Sequence, residues 1–285
     1  MRTPPGTRRP HEIDAANGRW LAWHEAVCHS LVGREVRDLG DGVMLHDPAD
    51  REPFWNRIAG IAWPRDPAAF DRRLAEMLAL FAGLDRVPHM WPSPAFDEPP
   101  DLIGRLEAHG FVDMGAGLLM GLDVGRLPPE SLAAGSAGQG IELDRFHRLA
   151  GEAAARAARE VAVVLTEAFS VEPDRRAAIE EEMIVLLGLE DFEIYLARVD
   201  GEPAATARRT TFAGASYLSS IGTRPAFRGR GLGRIVTDAV TRRAVEAGAW
   251  TYLGVFNDNE VARRLYEELG FVTLGGPSPD LLLRA

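Results

Sequence analysis

The sequence predicts an α/β (α+β) chain built as two modules, on three observations. Segments with the period of a strand and of a helix alternate along its length. A stretch rich in Gly, Ala, Pro and Ser at residues 125–140 reads as a linker. Residues 96–115 also align without a gap on residues 256–275, at a constant offset of 160. Phe96 falls on Phe256, Glu107 on Glu267, Gly110-Phe111-Val112 on Gly270-Phe271-Val272, and Gly115 on Gly275. A common helix stop could match by chance, but the order of elements upstream agrees as well, so the match reads as an internal repeat. The expected domains are 11–130 and 140–285.

In the first module, Trp20, Trp23, Val27 and Leu31 predict a helix over 15–31. Residues 43–46 and 57–63 read as strands. Phe70, Leu74, Met77, Leu78 and Phe81 mark an amphipathic helix closed by Gly83. Residues 87–91 read as another strand, and residues 1–10, rich in Arg and Pro, as a loose terminus. In the second module, 141–146 is a strand, 152–169 a long helix and 173–187 a second helix starting near its proline. Strands at 192–199 and 204–212 are joined by Asp200-Gly201, a hairpin signal.

A short strand at 217–221 then leads into the stretch 223–234, Thr-Arg-Pro-Ala-Phe-Arg-Gly-Arg-Gly-Leu-Gly-Arg. Leu232, Ile235, Val236, Ala239 and Val240 follow at helical spacing, and 250–256 reads as the next strand. Glycines at 229, 231 and 233 thus stand where a strand turns into a helix. There the backbone turns tightly, and the helix start offers unpaired N–H groups to phosphate oxygens. Arg228, Arg230 and Arg234 add positive charge. The alternative is an arginine-rich, solvated turn. A P-loop is excluded because the chain has no lysine, and the third glycine comes too early for a dinucleotide fingerprint.

Arg228, Gly231 and Gly233 form Arg-x-x-Gly-x-Gly, and Asn259, Ala262, Tyr266, Gly270 and Phe271 follow as Asn-x-x-Ala-x-x-x-Tyr and Gly-Phe. These two motifs, in this order, resemble the GNAT acetyltransferases over residues 140–285. The resemblance implies that each module is a mixed, mostly antiparallel sheet flanked by helices. It implies acetyl-CoA as cosubstrate and direct acetyl transfer to an amine in a ternary complex. The backbone at Ile221, Gly222 and Thr223 would meet the pantetheine near the thioester. The pyrophosphate would lie on the amides of Gly229, Arg230, Gly231, Leu232, Gly233 and Arg234, with Arg228 beside them. Asn259 would contact the pantetheine arm, and Tyr266 would protonate the leaving thiolate. Tyr266 also shares an apolar helix face with Val261, Ala262, Leu265 and Leu269, so a plain core role competes. Many relatives carry a Glu on the strand before the loop; here Tyr217, Ser219 and Ser220 stand there, and no general base is assigned.

The first module then resembles a degenerate copy. Its loop position reads Trp63-Pro64-Arg65-Asp66-Pro67, and Leu106 and Pro99 stand opposite Tyr266 and Asn259. Prolines have no N–H to offer a phosphate. Its expected role is to pack on the second module and shape the substrate side. The early helices of such enzymes line the acceptor side, where Glu180, Glu181, Glu182, Glu190, Asp191 and Glu193 would suit a cationic amine, a solvated helix face being the commoner outcome.

A net charge of −10 argues against nucleic acid as a general partner. One cysteine, Cys28, excludes an internal disulfide and a cysteine-based metal site, and the scattered histidines show no metal-ligand spacing. From that pattern no metal is expected; no run of 18 apolar residues is present, so no membrane span is expected either. The expected setting is cytoplasmic, with a small-molecule amine as partner; a homodimer is allowed. Two other readings stay open: a non-catalytic acyl-CoA-binding or regulatory protein, and a purely structural module.

Overall fold

The computed structural model describes residues 15–130 and 140–284. Most of the expected linker (131–139) and the expected loose terminus lie outside them. No helix among the described residues is long and apolar enough to cross a membrane.

The first sheet has the order β1-β2-β3-β4-β13-β5. Its strands are β1 (Glu35–Asp38), β2 (Val43–His46), β3 (Arg57–Ala59), β4 (His89–Trp91), β5 (Phe111–Asp113) and β13 (Leu281–Leu283). β1, β2 and β3 pair antiparallel, β3 and β4 parallel, and β13 runs antiparallel to both neighbours. β3 is shorter than the expected 57–63 because Gly60, at φ 62, turns the chain out of the sheet. The charged strand β1, Glu-Val-Arg-Asp, has too little apolar alternation to be read from sequence.

Helices α1 (Ala15–Ser30), α2 (Pro67–Gly83) and α3 (Leu102–Ala108) belong to the same half. α2 starts on Asp66, whose side chain accepts a hydrogen bond from the Ala69 amide at 2.9 Å, with Pro67 in the first turn. It buries Phe70, Leu74, Met77 and Phe81, one face at helical spacing. They join Met44, Ile58, Met90, Leu102, Leu106, Phe111 and Leu281 in one apolar core. Gly83 is the last helical residue; the left-handed position after it is Asp85, at φ 55.

The second sheet has the order β12-β6-β11-β10-β9-β8-β7. Its strands are β6 (Gly117–Leu122), β7 (Ile141–Phe146), β8 (Phe192–Val199), β9 (Glu202–Phe212), β10 (Ala215–Thr223), β11 (Trp250–Phe256) and β12 (Phe271–Ser278). β7 to β10 pair antiparallel and β10 with β11 parallel. Asp200 and Gly201, at φ 51 and 82, make the expected tight hairpin. Helices α4 (Gly151–Ala168), α5 (Arg176–Leu187), α6 (Leu232–Glu246) and α7 (Glu260–Glu268) complete this half. A separate 3₁₀ turn, Pro173–Arg175, precedes α5, so the helix expected from 173 begins three residues later.

The offset of 160 survives in three dimensions. Shifted by it, β3 falls within β10 and α3 falls on α7, and α2 and β4 overlap α6 and β11. In both halves a parallel strand pair spans a helix. Gly110 and Gly270 both have left-handed φ, 91 and 93, and each amide bonds back to the glutamate carbonyl three residues earlier. Phe111 and Phe271 are both buried, as are Leu106 and Tyr266.

One arrangement has no counterpart in the linear reading. β6, the strand after β5, lies between β11 and β12 in the second sheet, while β13 lies between β4 and β5 in the first. Each half of the sequence thus gives its final strand to the other sheet. The compact units are discontinuous: one takes residues up to Gly121 with Gly254–Arg264 and Val272–Ala285, the other Leu122–Leu253 with Leu265–Phe271.

Candidate active site

β10 pairs with β11 only from Ala215↔Trp250 to Leu218↔Leu253, while β10 runs on to Thr223. The register against β9 shifts between Ser219 and Gly222, and Ser220 takes φ 50, so the strand bulges where it leaves its parallel partner. Backbone groups at the end of β10 are thereby freed from the β11 ladder and able to meet an extended ligand. Ile221, Gly222 and Thr223 lie there, half-buried. A Cβ on Gly222 would come within 2.8 Å of the Ala168 Cβ and 3.1 Å of the Phe169 ring, so this position is held to glycine by the end of α4.

After a 3₁₀ turn, Pro225–Phe227, the chain reaches the glycines. Gly229 and Gly231 adopt φ 78 and 74, where a side chain is strained. Gly231 is the N-cap of α6 and places no side chain on the helix end. Leu232, Gly233 and Arg234 form the first turn, whose amides carry the positive end of the dipole. The corresponding end in the first half is different in kind. There the Asp66 carboxylate caps α2, occupying an amide and adding a negative charge that would repel phosphate.

The three arginines among and beside the glycines, Arg228, Arg230 and Arg234, divide their work. Arg228 donates to the carbonyls of Thr223 and Ala168, both at 3.3 Å, tying the loop to β10 and α4. Arg234 pairs with Glu268 on α7 at 2.7 Å. Arg230 is exposed and lies over the Phe227 ring, 5.6 Å from its centre.

Tyr266 is 5% exposed and meets Phe271 edge-on, with ring centres 6.1 Å apart. Its hydroxyl makes no hydrogen bond among the described residues. Burial pushes the phenol up, so it keeps its proton at ordinary pH. The Asn259 side chain accepts from the Ala262 amide at 3.1 Å and caps α7.

Three of the acidic residues near the early helices are paired with arginines. Glu180 pairs with Arg176, Glu190 with Arg148, and Glu193 with Arg145 and Arg209. Glu193 sits on β8 directly opposite Arg209 of β9 and is 2% exposed. Burial pushes its carboxyl up, but hydrogen bonds and charge from Arg145 and Arg209 outweigh this and hold it down to about 2, against an ordinary 4.5. The stability it contributes is therefore complete above pH 4.5 and lost as pH falls toward 2. Glu193→Gln is expected to lower the melting temperature at pH 7 and to flatten its fall across that acid window, read by calorimetric scans. On β10, Ser219 accepts from Arg208 at 2.6 Å and the Tyr217 ring packs tilted against Tyr252, 5.1 Å between centres; the strand carries no carboxylate.

Residues 158–271 match the family model described as the acetyltransferase (GNAT) family. That match lies within the second half of the chain. A GCN5-related N-acetyltransferase from Kribbella flavida superposes with a TM-score of 0.66 at 24% identity, covering 94% of this chain and 96% of that one. A tandem GNAT protein from the clavulanic acid biosynthesis pathway superposes at 0.57, with 16% identity and coverage of 95% and 96%. A GCN5-related N-acetyltransferase from Sphaerobacter thermophilus gives 0.56, 17% identity and coverage of 100% and 98%. These likenesses concern the fold. The mycothiol acetyltransferase of Nocardiopsis dassonvillei is 44% identical over 73 residues, which span 25% of this chain and 19% of that protein.

Proposed function

We propose that the second half transfers an acetyl group from acetyl-CoA to a primary amine of a small molecule, by direct attack in a ternary complex. The observation that carries this reading is the α6 start: a helix N-terminus capped by a left-handed glycine, set just beyond the point where β10 leaves β11. Such a start suits a pyrophosphate, and the freed end of β10 suits an extended amide-bearing arm. Acetyl-CoA supplies an activated thioester. Ile221, Gly222 and Thr223 then orient the reacting carbonyl, and the amides of residues 229–234 hold the diphosphate. Arg228 holds the loop against α4, Arg230 adds positive charge, and Arg234, paired with Glu268, offers its backbone amide. Asn259, besides capping α7, is assigned to the pantetheine arm. The amine nitrogen bonds to the carbonyl carbon and gives up one proton. The carbon–sulfur bond breaks, and Tyr266 gives its proton to the departing sulfur, regaining one from solvent. A cytoplasmic setting fits this cosubstrate.

Calorimetric titration with acetyl-CoA tests the cradle. Micromolar one-site binding is expected for the parent protein and none for Gly231→Val, Gly233→Val, shown to be folded by circular dichroism. Binding that survives both substitutions would remove the cradle from this loop. A second reading, a non-catalytic acyl-CoA-binding protein, is favoured by the absence of a carboxylate on β10. It predicts the same titration but no thiol release with any amine.

A further inference from the structure

The unit that holds the first sheet contains a cavity of about 750 Å³, lying where α2 ends, β4 begins and β13 ends. Asp66 starts α2 at the other end of that helix, and 17 helical residues span roughly 25 Å. The cavity floor is apolar. Val87, Leu282 and Leu283 line it, and Val87 leaves 43% of its surface open to water. The Leu283 amide donates to the Pro88 carbonyl at 2.9 Å, which ties the two sides of the floor together. Three arginines and one carboxylate stand around this floor, in a chain whose net charge is −10. Arg51 pairs with Asp85, both largely exposed. Arg86 donates to the Asn56 side-chain oxygen and to the carbonyls of Asp47, Pro48, Leu84 and Asp85. These acceptors are all neutral, so its donors are used while its charge stays uncompensated. Arg284 is exposed and has no partner among the described residues. An apolar floor thus lies under an excess of two positive charges.

We propose that this cavity binds an amphiphilic anion, an apolar tail ending in a carboxylate or phosphate group. The tail covers Val87, Leu282 and Leu283, removing their apolar surface from water. Arg284 grips the head group, because a guanidinium with unused donors matches an oxyanion with a planar fork. Arg86 adds its field without giving up its hydrogen bonds. Charge then selects the occupant. A cationic amphiphile would meet two uncompensated positive charges, and a neutral one would leave Arg284 without a partner. The volume is that of a small-molecule site, apolar with a few polar groups at its edge. Every residue in this account belongs to the first sheet, α2 or the links beside them, so the proposal does not depend on acetyl transfer.

The test titrates the full chain with decanoate and decyl phosphate, and with decanol and decyltrimethylammonium as controls. Excess CoA is present throughout, to keep the glycine loop from answering for the cavity. One-site binding of at least one anion is expected, with a Kd of about 10–100 µM, ordinary for a ligand of this size. The tighter anion identifies the head group. Decanol and the cation should bind at least about 10-fold more weakly, the worth of one charged hydrogen-bonded contact. Arg284→Gln should weaken the anion about 10-fold and leave decanol unchanged. Val87→Asp, which puts a negative charge on the floor, should weaken the anion further still. Both residues are exposed, so both variants should keep the parent's circular dichroism spectrum. Absence of anion binding, equal binding of the cation or of decanol, or anion binding that both variants leave unchanged would overturn the inference. The comparison of the four ligands in the parent protein stands even if a variant misfolds.

Discussion

Tyr266→Phe is expected to cut kcat by about 10²- to 10⁴-fold, the usual worth of a positioned proton donor, with acetyl-CoA affinity and melting temperature close to the parent's. The substitution removes one oxygen from a residue that is 5% exposed, and that oxygen holds no partner among the described residues. Phenylalanine keeps the edge-on contact with Phe271. A residue serving only as core would therefore lose nothing by the change. Burial keeps the phenol protonated, so no limb of the pH profile in the neutral range should belong to it. Steady-state thiol release with calorimetry on the same samples reads both quantities. Unchanged turnover would return Tyr266 to the core and leave the thiolate to take its proton from water.

Leu281→Ala is expected to cost about 2–5 kcal/mol of unfolding free energy, the range for deleting a buried leucine side chain. Leu281 is fully buried and pairs with Met90 of β4 on one side and Asp113 of β5 on the other. Weakening it disturbs both ladders, so the loss should fall at the upper end. Leu282→Ala, at a half-buried neighbour, should cost less. Denaturant unfolding of the three proteins checks the order. An effect below that of Leu282→Ala would mean that β13 adds little to its sheet.

Those two residues also mark how far the sequence could be read. α2, the Asp200-Gly201 hairpin and the glycine stretch were legible because their signals are local: an apolar stripe, a pair of left-handed turn residues, a helix start without a side-chain cap. The repeat was legible for the same reason, since Gly110 and Gly270 impose the same turn. The exchange of β6 and β13 was not. Leu-Leu-Leu at 281–283 is only three residues long, and nothing in its period marks it as a strand or says which sheet it joins. The arginines failed differently. Their sign is plain in the sequence, but Arg228 turns to two carbonyls and Arg234 to Glu268, and only geometry assigns such partners. The acidic run near α5 was likewise resolved by neighbours, as Glu193 found arginines on β7 and β9.

The exchanged strands also set an order of events in time. During synthesis, β1 to β5 emerge early, yet their sheet keeps an open place between β4 and β5 until Leu281–Leu283 leaves the ribosome. For that interval the two strands present unpaired edges, the kind of surface that invites association with other chains. The second sheet needs nothing later than β12, and β6 has been waiting since residue 122. The half that is made last therefore has all its strands first.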